Sequence, residues 1–167
     1  MATYKEIKGV TVQALDADPV VNAGSWASGP SLNTARYQAS GAGATQNAAW
    51  IVGGAIPPAS PNQTAVHEQY NGTSWTEAAD LGTAKYAAGS FGTTTAALIA
   101  GGYDGAYEDD VETWNGSSWT EVSDLNTARY GGAGFGISTA ALYAGGQHNP
   151  PPSQAEEVEQ WNGSSWT

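Results

Sequence analysis

One tryptophan-containing pattern recurs through this chain and constrains its fold more than any other feature. The recurring residues Trp26, Trp75, Trp119 and Trp166 lie 49, 44 and 47 residues apart. Between consecutive Trp residues, two further marks recur in the same order: a basic residue followed by Tyr, and then a Gly-Gly pair. These two marks are Arg36, Lys85 and Arg129, and then Gly53 with Gly54, Gly101 with Gly102, and Gly145 with Gly146. Self-similarity at such a period indicates repeated supersecondary units that stack on one another.

Each repeat predicts four short β-strands. A run of small residues follows the basic-Tyr mark, an apolar run such as 96–100 enters the Gly-Gly pair, a third strand ends in an aromatic residue, and the repeated Trp begins the fourth. Asn71, Asn115 and Asn162 are each followed by Gly between the last two strands, which favours the positive φ angles of a tight hairpin turn. The sequence therefore predicts an all-β fold of three four-stranded antiparallel units, at about 35–78, 84–122 and 128–167.

An acidic residue lies seven positions before each of the last three repeated Trp residues. These residues are Glu68, Glu112 and Glu159, and they are natural partners for the three basic marks Arg36, Lys85 and Arg129. Because such pairs are more often structural than catalytic, we expect one structural ion pair in each repeat.

The charge of the chain argues against two classes of partner. Five basic against sixteen acidic residues give a formal net charge of −11. Such a surface repels phosphate groups and anionic lipid, so we expect neither a nucleic-acid nor a membrane partner. The chain has no cysteine, which excludes disulfides, thiolate metal sites and thiol catalysis. We expect no cofactor, no metal and no enzymatic activity.

The repeat resembles the kelch repeat. Residues 125–135, 140–146 and 158–167 carry an Arg near the first strand, a Gly pair ending the second, an aromatic residue in the third and a Trp in the fourth. The resemblance covers about residues 26–167 and implies that the three units are β-propeller blades. In a propeller, the small first strands lie near the central axis, and the aromatic residues fill the space between blades.

The N-terminal segment carries a second resemblance. The run from Lys5 to Pro19, followed by Ala/Thr/Gly-rich repeats, is similar to virion proteins of marine tailed bacteriophages. This resemblance implies a non-enzymatic fibre, tail or other surface component of the virion, with residues 1–25 attaching to other virion proteins. The same segment is also compatible with a leading strand packed on the first blade, and the repeats with a cellular kelch-type interaction scaffold or a lectin-like propeller.

Recognition is expected in the loops that differ most between repeats. The run 103–110 combines four acidic residues with two tyrosines, which suits sugar binding or Ca²⁺, although a solvated acidic loop is the simpler interpretation. The binding candidates are Tyr103, Asp104, Tyr107, Asp109, Asp110 and His148, with a host glycan as the expected ligand. The other histidine, His67, has no partner pattern and is expected at the surface.

Three repeats are too few to close a ring, because propellers have about four to eight blades. Either two chains form a six-bladed ring, or the chain continues beyond Thr167 in a longer propeller. Each of two chains would bring an additional fourth-strand motif at Trp26, for which the junction has no room. The sequence therefore favours an arc of a larger propeller, in an oligomeric assembly on a virion.

Overall fold

The computed structural model describes residues 27–58, 62–149 and 153–167, and every regular element in this part is a β-strand. The strands form three main antiparallel sheets, one for each repeat, and a small two-stranded ribbon. The predicted all-β, antiparallel architecture is confirmed. None of the described segments is a helix long and apolar enough to cross a membrane. The proposed attachment segment 1–25 and the repeat mark Trp26 lie outside the described residues.

The first two sheets have the same four-stranded order. In each, every strand pairs with its neighbour in the sequence. The first sheet contains β1 (Ser40–Thr45), β2 (Ala48–Val52), β3 (His67–Tyr70) and β4 (Trp75–Ala78). The second contains β5 (Gly89–Gly92), β6 (Ala97–Tyr103), β7 (Tyr107–Trp114) and β8 (Trp119–Val122).

The third sheet repeats this order with a shorter outer edge. It contains β9 (Ala133–Ile137), β10 (Ala140–Ala144) and, after the ribbon of β11 (Gln147–His148) and β12 (Ser153–Gln154), β13 (Val158–Trp161). The position of the fourth strand is held by a bridge between Trp161 and Trp166. Gln160 and Thr167 exchange two backbone hydrogen bonds of 2.8 and 3.0 Å beside it. The fourth strand predicted at Trp166 is therefore present as this short pairing.

The first strand of each sheet begins later than the sequence indicates. Tyr86 is not part of β5, because Ala87 has a positive φ of 53° and interrupts the extended chain. Tyr86 instead forms a separate bridge with Tyr103. Gln38 has the same conformation in the first repeat, with a φ of 52°. A non-glycine residue in this region is uncommon, and here it recurs at one repeat position.

The Asn-Gly sequences do connect the third and fourth strands, but with a different geometry from the predicted one. In the second sheet the connection has four residues, 115–118, and only Gly116 among them has a positive φ, of 97°. The Asn115 side chain accepts hydrogen bonds from the backbone N–H groups of Ser117 and Ser118, at 2.9 and 3.0 Å. Asn therefore stabilises the turn through its side chain rather than by adopting a positive φ.

The hydrophobic core lies between the sheets. The aromatic residues of the third and fourth strands fill the two spaces, as the sequence predicted: Trp114 and Trp119 between the first and second sheets, and Trp161 and Trp166 between the second and third. The first cluster also contains Trp50, Val52, Leu81, Ala88, Ala97 and Ile99, and the second Phe91, Leu98, Ala100, Val111, Leu125, Ala141 and Tyr143.

Backbone hydrogen bonds at the Gly-Gly pairs join consecutive sheets. Gly54 N–H donates to the Lys85 carbonyl, and Gly102 N–H donates to the Arg129 carbonyl, both at 2.9 Å. The first glycine of each pair leaves space for the same carbonyl: a Cβ on Gly101 would lie 2.5 Å from the Arg129 oxygen. A second series of bonds runs from Ala87 N–H to the Gln38 carbonyl and from Gly131 N–H to the Ala87 carbonyl, at 2.8 and 2.7 Å. The Gly-Gly pair is therefore required for contact between sheets as well as for its positive φ angles.

Replacement of Gly101 by alanine should destabilise the protein more than replacement of Gly131. Both glycines have a positive φ, 63° and 73°, so each substitution costs about 1 kcal/mol in backbone strain. A Cβ on Gly131 meets nothing within 4 Å, whereas one on Gly101 overlaps the Arg129 carbonyl. We expect Gly101→Ala to lose about 1 to 3 kcal/mol more unfolding free energy in urea than Gly131→Ala. Equal losses would show that the close approach between sheets is not limiting.

Candidate functional site

Four partly exposed tyrosines form a cluster where the second and third sheets begin. The Tyr after each basic mark forms a bridge with the residue after the Gly-Gly pair, which joins Tyr86 to Tyr103 and Tyr130 to Gln147. The ring centroids of Tyr86 and Tyr103 are 5.3 Å apart, and those of Tyr107 and Tyr130 are 5.4 Å apart. Tyr103 lies 5.8 Å from Tyr107 and 5.7 Å from Tyr130. We call Tyr86, Tyr103, Tyr107 and Tyr130 the tyrosine surface.

The phenol of Tyr86 is held in the neutral form. Burial raises the pKa of Tyr86, and the neighbouring phenols of Tyr103, Tyr130 and Tyr37 raise it further. The Tyr130 hydroxyl donates to the Gln147 side-chain oxygen at 2.9 Å. Ring faces and hydroxyl groups are therefore what the tyrosine surface offers to a ligand.

Two carboxyl groups lie next to the tyrosine surface. Asp104 is in the turn between Tyr103 and Tyr107, where its side chain accepts a hydrogen bond of 3.0 Å from Ala106 N–H. Burial raises the pKa of Glu108 to about 7, and a hydrogen bond to Asp104 and the charge of Asp104 act in the same direction. Near neutral pH the Glu108 carboxyl is therefore partly protonated, and its protonated form can donate a hydrogen bond.

The prediction of an acidic loop over residues 103–110 is wrong. Strands β6 and β7 extend into this segment and leave only residues 104–106 as a turn. The structure brings Tyr103, Asp104 and Tyr107 together. Asp109 is an exposed residue of β7. Asp110 is not a free ligand, because one of its carboxylate oxygens lies 2.5 Å from the ammonium group of Lys85.

His148 stands apart from these residues within the described chain. It is a partly exposed residue of β11, and its Nδ1 lies 3.0 Å from the Asn149 carbonyl. Among the described residues its side chain has this one hydrogen-bond partner, which is not part of the tyrosine surface. In the described ranges no three His, Asp or Glu side chains are grouped in a way that would hold a metal ion.

The sequence reasoning missed Tyr86 and Tyr130 as members of the site. The sequence identifies both as the second residue of the basic-Tyr mark and indicates no role for them beyond the repeat. The sequence did contain an indication of this site. A Tyr that recurs next to the first strand, near the central axis, must lie close to the corresponding Tyr of the neighbouring repeat. The residues that differ between repeats, Tyr103 and Tyr107, then enlarge this conserved position into a surface.

The ion pair predicted for each repeat is present and buried. The Arg36 guanidinium contacts the Glu68 carboxylate, and Arg129 Nη2 lies 2.8 Å from Glu159 Oε1. Lys85 departs from the pattern, because its Nζ lies 3.8 Å from Glu112 and much closer to Asp110. Glutamates at this position also accept backbone N–H bonds from the loop that enters their sheet: Asn33 donates to Glu68, Gly82 to Glu112 and Asn126 to Glu159, each at 2.8 Å.

His67 is buried, so the prediction that it lies at the surface is wrong. Its side chain lies between the first two sheets, 4.7 Å from the Trp114 ring and 5.4 Å from the Trp119 ring. Trp119 Nε1–H donates to His67 Nδ1 at 3.2 Å. Burial lowers the pKa of His67, which keeps the imidazole neutral as this hydrogen bond requires. The sequence did not show this, because the two residues are 52 positions apart.

Glu68→Gln should remove pH-dependent stability on the acidic side. Burial acts to raise the pKa of Glu68, but the Asn33 and Thr34 N–H groups and the Arg36 charge outweigh it, so that the pKa lies below 4.5. Its contribution is therefore complete above pH 4.5 and is lost as the pH falls through the lowered pKa. At pH 7 we expect Glu68→Gln to lose about 3 kcal/mol of unfolding free energy, because a buried guanidinium loses its counter-charge.

The difference between Glu68→Gln and the wild type should shrink below pH 4.5. Urea unfolding at several pH values measures it. Glu121→Gln, at an exposed residue of β8, is the matched control and should change stability by less than about 0.5 kcal/mol. A loss for Glu68→Gln that is the same at every pH would contradict the assignment to this ion pair.

Comparison with known proteins identifies the fold. No family model matches the sequence, and no curated protein matches it. Among solved structures 131 chains match, including the structure of YjhT, with a TM-score of 0.65 at 14% sequence identity. The match covers 82% of this chain and 46% of the YjhT chain, so this chain spans about half the length of that protein. YjhT is a β-propeller-type structure, and the three sheets described above have the same type of fold.

Proposed function

We propose that this chain is a non-enzymatic recognition module of kelch-like propeller repeats, exposed on a bacteriophage virion, and that its tyrosine surface binds a host glycan. The observation that carries the recognition role is the tyrosine surface itself. Each of the four partly exposed tyrosines has its ring centroid within 6.4 Å of at least two of the others. Next to two carboxyl groups, they concentrate aromatic surface on a chain with a net charge of −11.

The chemistry of the tyrosine surface suits a sugar ring. Tyrosine ring faces stack on the apolar C–H face of a pyranose, and phenol hydroxyls hydrogen-bond its hydroxyl groups. Glu108 is partly protonated near neutral pH, so its protonated carboxyl can donate to one sugar hydroxyl, and the Asp104 side-chain oxygens can accept from another. The net charge of −11 disfavours the binding of anionic sugars. The proposed ligands are therefore neutral hexoses or amino sugars.

The basic side chains support a role without catalysis. Three of the five basic residues, Arg36, Lys85 and Arg129, are buried in ion pairs of the fold. They are therefore unavailable to stabilise developing negative charge in a transition state, as many hydrolases require.

The location on a virion rests on residues 1–25, whose sequence is similar to the leading segments of tailed-phage virion proteins. In this proposal the segment attaches to other virion proteins and the repeats face outward. A cellular kelch-type scaffold is the alternative, and it would use the same repeats without attachment to a particle.

Glycan binding is tested by truncating one ring of the tyrosine surface. Tyr107 is partly exposed and contacts Tyr103 and Tyr130 without a buried hydrogen bond, so Tyr107→Ala should fold. On an array of neutral and amino-sugar oligosaccharides we expect Tyr107→Ala to weaken binding about tenfold, which corresponds to about 1.4 kcal/mol. Tyr107→Phe, which keeps the ring, should retain most of the binding. Absence of binding by the wild-type chain to every neutral or amino sugar would contradict the glycan proposal.

The virion proposal is tested independently of any ligand. Antibodies raised against the chain, detected by electron microscopy, should label intact phage particles at a regular position. Disrupted particles treated with the same antibodies provide the control for accessibility. If the protein is found only in the lysate of infected cells and never on purified particles, the cellular-scaffold alternative is correct.

A further inference from the structure

The outer surface of the third sheet is apolar and exposed. We call Phe135, Ile137, Leu142 and Val158 the trailing face. Phe135, Leu142 and Val158 have exposed fractions of 58%, 40% and 54%. Their counterparts in the second sheet, Phe91, Leu98 and Val111, have exposed fractions of 1%, 0% and 0%, because the third sheet covers them. The trailing face therefore has the same kind of apolar side chains as a surface that another sheet covers.

The first sheet carries the complementary surface. We call Ile51, Tyr70 and Trp75 the leading face. Their counterparts in the third sheet are Tyr143, Trp161 and Trp166, the side chains that cover the second sheet. Tyr70 and Trp75 stack at a centroid distance of 5.2 Å, as Trp161 and Trp166 do at 5.4 Å. All three residues of the leading face are partly exposed.

At the two ends of the described arc, a donor and an acceptor of the inter-sheet backbone bonds have no partner within the described chain. By analogy with Gly54 and Gly102, Gly146 N–H should donate to the carbonyl of a following basic mark, but within the described chain it has no acceptor. The Arg36 carbonyl, which is the corresponding acceptor, has no donor there. A Cβ on Gly145 would meet nothing closer than 3.5 Å, whereas at Gly101 the next sheet fills that space.

We propose that a second copy of this chain docks its leading face on the trailing face, and that two copies joined head to tail at both ends close a six-sheet propeller. The trailing face of one copy would be covered as the third sheet covers the second, with Trp75 of the second copy against Phe135. The existing pair, Trp166 and Phe91, has a centroid distance of 6.1 Å. Gly146 N–H would then donate to the Arg36 carbonyl of the second copy.

A second copy is the occupant that the structure favours, because both halves of the junction are present on this chain. The two internal junctions already use the same residues and the same backbone bonds, so the third is continuous with them. The described arc matches 46% of the YjhT chain, so two arcs account for nearly all of a propeller of that length. The additional motif at Trp26, for which a two-chain junction was expected to have no room, lies outside the described residues, whereas all residues of the two faces are described.

The first test is the mass of the 167-residue chain in solution. Light scattering at about 0.15 M salt, where charge repulsion is largely screened, should give about twice the chain mass of 17.1 kDa. Dilution should shift the mass towards one copy without intermediate or larger species, because the ring closes at two copies. A mass of one copy at every concentration would overturn the proposal and leave the two faces to further blades of a longer chain. Open-ended growth would overturn it as well.

The second test separates head-to-tail docking from any other dimer. Phe135→Asp damages the trailing face and Trp75→Glu damages the leading face, so each variant alone should be a single copy. Mixed together, they retain one intact junction, between the leading face of the Phe135→Asp chain and the trailing face of the Trp75→Glu chain. We expect the mixture to form two-copy species with weaker association than the wild type.

Thr120→Glu is the matched control for added negative charge. Thr120 is exposed on β8, away from both faces, and this variant should keep the wild-type mass. Circular dichroism and thermal unfolding of each variant establish that it is folded, which is expected because Phe135 is exposed and Trp75 is partly exposed in one copy. If one of the two face variants remains a dimer, or if folded variants fail to associate when mixed, the head-to-tail junction is wrong.

Discussion

The basic residue at the start of each repeat connects two levels of this structure. Its side chain pairs with a glutamate of its own sheet, and that glutamate also fixes the incoming loop through backbone N–H groups. The carbonyls of Lys85 and Arg129 each accept a hydrogen bond from the Gly-Gly pair of the preceding sheet. Because the side chain is buried and paired, its backbone is held in one place, and the neighbouring sheet is aligned against it. The tyrosine that follows is positioned by the same restraint.

Much of this arrangement was accessible from the sequence because the repeat carries it. The marks, which keep the same order in every repeat, predicted the number of sheets, their antiparallel order and the partners Arg36–Glu68 and Arg129–Glu159. Lys85 was assigned correctly to a buried ion pair, but its closer partner, Asp110, was missed. The sequence predicts a loop at Asp110, whereas β7 continues through this residue. In the third repeat the corresponding pairing is the separate ribbon of β11 and β12.

The parts that escaped prediction depend on contacts between repeats. His67 has Val111 and Val158 at the same position in the other sheets, so the repeat gave no reason to expect a buried imidazole. The tyrosine surface combines one repeated position, at Tyr86 and Tyr130, with two residues unique to the second repeat, Tyr103 and Tyr107. Neither kind of residue indicates a site alone, because the distance between them is set by the packing of one sheet on the next.

The hydrogen bond between Trp119 and His67 distinguishes two junctions that otherwise use the same residues. At the next junction the indole N–H of Trp166 is buried and has no partner in the described chain, since Val111 replaces the histidine there. An unpaired donor of this kind has a free-energy cost, which the hydrogen bond to His67 removes for Trp119. Trp50, in the same first junction, has a buried indole N–H without a partner among the described residues. The repeats are therefore not interchangeable. If the first repeat were replaced by a copy of the second, the Trp119 indole would also lose its hydrogen-bond partner. The order of the repeats along the chain therefore affects the stability of the junctions.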